Sequence, residues 1–209
     1  MINRGKNPRF AAVQIVFICF LTSVSSMPVI PAQDTAGVPV IQIAKEGSAV
    51  RFAVKASVSI EGTFDNWEAT ITYPSREAEA GTLDIKIRAD SVNTGSGMKD
   101  DKLKSKDFFN AKEDPYITFH STKFTETSPT TVEVQGNFTI RGVSKPETLL
   151  FDVTGKGTGV GEIKGTMAFD RKEFGMNSGI PFIKIADRVE VSVDLKGKRV
   201  SGPPLVFKR

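Results

Sequence analysis

Five carboxylates crowd one stretch of the chain, Asp100, Asp101, Asp107, Glu113 and Asp114, and carboxylates so close together could hold a hard cation or share general acid and base roles. They lack the alternating loop spacing of a calcium site. Lys99, Lys102, Lys104 and Lys106 are threaded among them, which favours mutual neutralisation on a solvated surface. His120 is the only histidine, so no His-based metal cluster can form, and its expected solvent-facing strand position does not suit a Ser-His-Asp triad. Gly155, Gly157, Gly159, Gly161 and Gly165 miss the G-x-G-x-x-G spacing, and no helix follows to receive a phosphate. They read as a hairpin loop. Asn137-Phe138-Thr139 matches a glycosylation sequon but falls within a strand pattern. Cys19, the only cysteine, lies in an apolar run and follows Ile18 where a lipoprotein signal wants a small residue; it reads as a small apolar filler. These residues supply no nucleophile, metal or cofactor constellation, and an enzyme is not expected.

The elements around the carboxylates centre on Lys99–Thr122. Asp100 and Asp101 suit the positive end of a short helix running to about Lys104. Phe108 and Phe109 follow as an apolar plug. Pro115 ends any helix, because it has no N–H and restricts Asp114 to extended geometry. The next run alternates, with Ile117, Phe119 and Ser121 on one face and Thr118, His120 and Thr122 on the other. Similar alternation marks Val50–Phe64, Ala69–Tyr73, Thr82–Ala89, Val132–Ile140, Leu149–Val153, Ile163–Phe169 and Val189–Leu195, with a turn at Asp65-Asn66. Eight strands with one apolar face share one interior. An antiparallel barrel would satisfy both the apolar face and the sheet edges; a two-layer sandwich fits the pattern almost as well.

LKSKDFFNAKEDPYITFHST at Leu103–Thr122 resembles the L-(K/R)-S-x-D-F-F-(D/N)…(Y/D)-P-x-(I/A)-x-F-x-S signature of the YceI-like family of polyisoprenoid-binding, lipocalin-like proteins. FTIRGVSKPETL at Phe138–Leu149 is similar to that family's L-T-(I/L)-(R/K)-G-V-(T/S)-(K/R)-P-V-x-L, and FDRKEFGM at Phe169–Met176 to its (I/L)-x-R-x-D-F-G-M. The three motifs stand in the family's order and the resemblance covers roughly Ser48 to Lys196. It implies an all-β, antiparallel, eight-stranded lipocalin-like barrel with a short helical segment between strands, and a long-chain isoprenoid lipid as partner. Family members often carry histidine where this chain has Ala56 and Lys102, so no role of those histidines is carried over.

The first residues read as a targeting signal. Arg4, Lys6 and Arg9 form a basic head, and Phe10–Val24 is an apolar stretch too short for a comfortable span. Cleavage is expected after Ser26 or Ala32, with Ala32 preferred; an uncleaved anchor is the rival. Removing residues 1–32 takes three positive charges and no negative one, lowering the net charge from +4 to +1. The basic balance is then a targeting signal, not a nucleic-acid footprint. The mature protein is expected in the periplasm or outside the cell, with no integral span, no cysteine and no metal. Residues 33–47 read as a leader or peripheral strand, 48–200 as the domain and 201–209 as a C-terminal tail.

Twelve of the 15 phenylalanines lie beyond residue 32, against one tryptophan and two tyrosines. An interior built from aromatic groups without a polar handle suits either a dry packed core or a long apolar slot. The resemblance favours the slot, expected to be lined by Phe52, Phe64, Ile85, Phe109, Phe119, Phe138, Phe151, Phe169 and Met176, with Phe108–Phe109 and Phe174–Met176 as plug or gate near a mouth. The implied function is a secreted, non-catalytic binding protein holding a polyisoprenoid or similar apolar chain. The alternative is a secreted structural or stress-related module with a packed interior and a protein partner.

Overall fold

A computed structural model describes residues 37–57, 59–179 and 182–208. The expected signal segment lies outside them. One sheet holds every strand: β1 (Val40–Ala56), β2 (Ile60–Phe64), β3 (Trp67–Thr72), β4 (Thr82–Arg88), β5 (Val92–Asn93), β6 (Tyr116–Glu126), β7 (Thr131–Ile140), β8 (Val143–Thr154), β9 (Val160–Asp170) and β10 (Ile185–Ser201), with helix α1 (Gly97–Lys104) between β5 and β6. The order is β3-β4-β6-β7-β8-β9-β10-β1-β2-β5, with antiparallel ladders throughout.

The fold is all-β and antiparallel, as expected, but among the described residues the eight expected strands are ten. Val50–Phe64 is not one strand. It folds back on itself, pairing Phe52 with Gly62 and Val54 with Ile60. Because these partners all carry even numbers, the alternation runs through the hairpin unbroken, and a period-two pattern gives no sign of the turn. The tenth strand, β5, has only two residues, too few to show a period.

Two corners roll the sheet. Asp65-Asn66 joins β2 to β3, and a 3-10 turn at Ala89–Ser91 joins β4 to β5. They are stitched side by side, Asp65 N–H donating to the Ser91 carbonyl (3.0 Å) and Arg88 N–H to that of Asn66 (2.9 Å). Each end strand is thus the chain neighbour of a strand near the opposite end, so the sheet curls, but β3 and β5 share no ladder and the expected barrel is a curled half-barrel. One seam is left short. β8 and β9 pair only between Leu150–Thr166 and Thr154–Glu162, whereas Val143–Leu149 pairs with β7 alone.

Inward positions form a single core, from Val50, Phe52 and Val54 on β1 round to Val193 and Leu195 on β10. Each large apolar side chain removed from water there contributes about 1.5–3 kcal/mol. Glycines make room for rings between strands: a Cβ at Gly62 would come within 2.7 Å of the Phe52 ring, one at Gly136 within 2.6 Å of the Phe119 ring, and one at Gly165 would overlap Phe151. Helix α1 buries only Leu103. Asp100 does not cap it from within; its Oδ1 accepts from the Thr94 N–H (2.8 Å) and hydroxyl (2.7 Å), tying the preceding loop to the first turn. Among the described residues, no helix is long and apolar enough to cross a membrane.

Candidate functional site

Successive inward residues on a strand lie at different depths of the interior. On β4, Leu83, Ile85 and Ile87 follow one another inward; on β7 the sequence is Val132, Val134 and, past Gly136, Phe138. The interior holds a cavity at each extreme and is filled between them. A cavity of about 60 Å³ lies on the side of α1, lined by Phe52, Phe64, Ile87, Leu103, Phe108, Phe109, Phe138, Phe169 and Met176 among others. A second, of about 120 Å³, lies by the β8–β9 hairpin, lined by Ile71, Leu83, Phe124, Val132, Phe151, Ile163 and Leu195 among others. Ile85, Phe119, Val134, Leu149 and Val193 line neither cavity and are at most 4% exposed. They form a packed septum.

The helix-side cavity is closed by two segments. Phe109 from the loop after α1 meets Phe64 at 5.7 Å and Phe52 at 6.3 Å between ring centres, and Phe174, fully buried, meets Phe138 at 5.4 Å and Phe169 at 5.2 Å. Such tilted and edge contacts add about 0.5–1.5 kcal/mol per pair to simple burial. Two arginines hold the segments down. Arg171, 6% exposed, donates to the carbonyls of Met176, Ser178 (3.0 Å) and Ala186 (3.1 Å) and to Asp187 (3.1 Å). Arg141 donates to the carbonyls of Gly175 and Lys106 (3.0 Å), joining one closing segment to the other. Asp187 faces Lys172 (2.8 Å) as well as Arg171, and these cations hold its carboxyl below the usual range.

The hairpin-side cavity has a different rim. Gly155, Gly157 and Gly159, all at positive φ, turn β8 into β9 as the expected hairpin loop. Beside them Lys156 reaches Glu126 (3.4 Å), whose side chain is 6% exposed. Tyr73 also lines the cavity, and burial pushes its hydroxyl up to about 12. The chain after β10 crosses this rim, contributing Pro204, Leu205 and Phe207 to the lining.

Of the nine residues expected to line one slot, six line the helix-side cavity: Phe52, Phe64, Phe109, Phe138, Phe169 and Met176. Phe151 lines the hairpin-side cavity. Ile85 and Phe119 sit in the septum between. The sequence reading missed Leu195, which continues the alternation of its strand, Phe124, which a register shift between Ser121 and Lys123 brings inside out of step with Ile117 and Phe119, and Phe207, which has no periodic neighbour. It also gave Arg171 no role, since arginine is rarely buried without a partner.

The carboxylate stretch is dispersed. Asp107 faces Lys102 (2.6 Å), which with nearby charge and hydrogen bonding holds its carboxyl low, while Asp114 accepts from Asn110 (2.9 Å). His120 is exposed on β6 and meets Asp84 (2.5 Å). Among the described residues, no three His, Cys, Asp or Glu side chains are placed to hold a metal.

A family model, described as the YceI-like domain, matches residues 42–197. A UPF0312 protein of Pseudomonas savastanoi is 27% identical over 133 residues, spanning 61% of this chain and 69% of that protein. The crystal structure of BcnA from Burkholderia cenocepacia superposes with a TM-score of 0.67 at 25% identity, covering 74% of this chain and 99% of BcnA. A polyisoprenoid-binding domain from Saccharophagus degradans gives 0.63 at 15% identity, over 77% of this chain and 99% of that domain; at that identity the likeness is one of fold.

Proposed function

The chain belongs to the YceI-like domain family, and on that premise we propose that it is a periplasmic or secreted binding protein that holds a polyisoprenoid or similar long apolar chain inside its curled sheet and catalyses no reaction. The observation that carries the reading is one interior with an apolar cavity at each end, in which Arg171 turns its guanidinium onto backbone carbonyls and Asp187. The Saccharophagus domain's described ligand supports the choice of lipid. Burial at about 0.8 kcal/mol per methylene gives each five-carbon unit roughly 3–4 kcal/mol before the costs of binding, so a few buried units suffice. The reading includes removal of residues 1–32 on export and a mature protein without cofactor or metal.

Volume sets a condition on it. A cavity of about 120 Å³ is of the order of an engineered void that takes one benzene, about 150 Å³. A long chain therefore needs the septum to part, with Phe119 the ring that must swing. The same small volumes favour a second reading, a structural or stress-related module with a filled interior and a protein partner. Organic extraction and mass spectrometry of protein purified from its native envelope separates them. A stoichiometric prenyl lipid is the expected result, and a lipid-free protein would leave the second reading standing.

A further inference from the structure

Resting on that reading, we propose that Pro203–Lys208 is an intramolecular plug, and that a lipid chain reaches the interior at the hairpin side by displacing it. The segment follows β10 and lies beyond the residues the family model matches, 42–197. Gly202, at φ +77, makes the reversal that sends it back across the rim; a side chain at that φ is strained. Leu205 and Phe207 are half-buried and line the cavity, while Val206 and Lys208 face solvent. The segment thus lays two apolar side chains where the end of an apolar ligand would lie.

Its attachment is slight compared with a strand's. One isolated bridge joins Val206 to Glu77, with Ala78 N–H donating to the Val206 carbonyl (2.9 Å) and Val206 N–H to that of Arg76 (2.8 Å). Pro203 and Pro204 carry no N–H and cannot extend that bridge into a ladder. The remaining ties involve side chains: Arg76 Nε–H to the Pro204 carbonyl (3.4 Å), Lys208 N–H to Glu126 (2.6 Å), the Lys208–Glu79 ion pair, and the Lys156 ammonium 4.6 Å over the Phe207 ring. Glu126 is 6% exposed, but the Lys208 side chain is in solvent, and an ion pair made by such a group holds weakly. The helix side offers no comparable way in, because its closing segments are threaded into the core by Phe109 and Phe174 and pinned by Arg171.

The test uses the full chain, a dansyl-labelled geranylgeraniol and stopped-flow fluorescence. Leu205→Ser combined with Phe207→Ser loosens the plug, and association should quicken about tenfold with tighter equilibrium binding. Weaker binding would overturn the inference by making the segment a wall of the site, and unchanged binding would overturn it by placing the way in elsewhere, such as the β8–β9 seam. If neither protein binds the alcohol, the lipid reading fails and the plug with it; equal binding by both sinks the plug alone. Should the double variant not fold, Glu77→Cys with Val206→Cys in a Cys19→Ser background ties the bridge reversibly. Oxidation should slow association at least tenfold and reduction restore it. Equal rates in the two states would overturn the plug.

Discussion

The two ends of the interior are closed in opposite ways. At the helix side, Phe109 and Phe174 are inserted among core rings, and Arg141 and Arg171 take up carbonyls from two loop segments and from the start of β10. At the hairpin side, the closing segment lies over the rim on one isolated bridge and a few side-chain ties, most of them near solvent. Closure by buried groups costs their whole burial to undo, whereas closure by exposed groups exchanges protein contacts for water at little cost. One end of the molecule is therefore built to stay shut and the other to open, and the substitutions below test that asymmetry.

Arg171→Ala should have the largest effect. It leaves the carbonyls of Met176, Ser178 and Ala186 without their donor in a buried setting, at a cost of about 3 kcal/mol or more. Arg171→Lys should recover little, since an ammonium does not reproduce the guanidinium fork that spans these acceptors. Denaturant titration of both variants measures this, and a loss below about 1 kcal/mol for Arg171→Ala would remove the contrast between the two ends.

Gly165→Ala tests the packing of the hairpin-side cavity wall. The new methyl group overlaps the Phe151 ring, so either the ring or the β8–β9 pairing must shift, for about 1–3 kcal/mol. Gly159→Ala, on the hairpin loop, meets only the Arg199 side chain at 3.5 Å. Its cost is the positive φ alone, about 1 kcal/mol. Thermal melts should rank Gly165→Ala below Gly159→Ala; the reverse order would mean that the interior is looser than the loop.

Phe138→Trp asks whether the helix-side cavity is used. In a filled interior the larger ring overpacks, costing about 1–3 kcal/mol of stability without altering lipid binding. In a slot occupied by ligand it shortens the available space, and long prenyl chains lose affinity while melting is unchanged. A melt paired with a lipid titration distinguishes the two.

The sequence carried the parts of this architecture that depend on alternation. Leu83, Ile85 and Ile87 read as inward-facing and are buried; the same holds for Val132, Val134, Phe138 and Ile140. Alternation tells which face is inside, but it carries no information on depth along the strand. For that reason Phe119 and Phe151 read as one lining although one is septum and the other cavity wall. The hairpin between β1 and β2 was hidden because its register keeps parity. Arg171 was hidden because its burial depends on carbonyls contributed by a loop of no fixed period, and the plug because Pro203-Pro204 interrupts any pattern that Leu205 and Phe207 would make.

The smallest expected effect concerns pH, and it bears on the ends unequally. Glu79 is held below the usual carboxylate range, first by its hydrogen bond with Lys208 and then by the Glu126 N–H. A carboxyl whose folded value is depressed stabilises the folded arrangement above its unfolded value, and that contribution disappears as pH falls through the folded value. Acid should therefore loosen Pro203–Lys208, visible as a shift of the Val206 amide resonance while core resonances stay fixed. Asp187 at the helix side is held low in the same way by Lys172 and Arg171, but its protonation frees one Arg171 donor only, and those on the Met176, Ser178 and Ala186 carbonyls remain. The segment around Met176 should accordingly keep its resonances where Val206 loses its own. Glu79→Gln should reproduce the acid-loosened Val206 position at neutral pH and abolish the titration. If the Met176 segment moved together with Val206, the two closures would be one cooperative unit, and the hairpin side could not open alone.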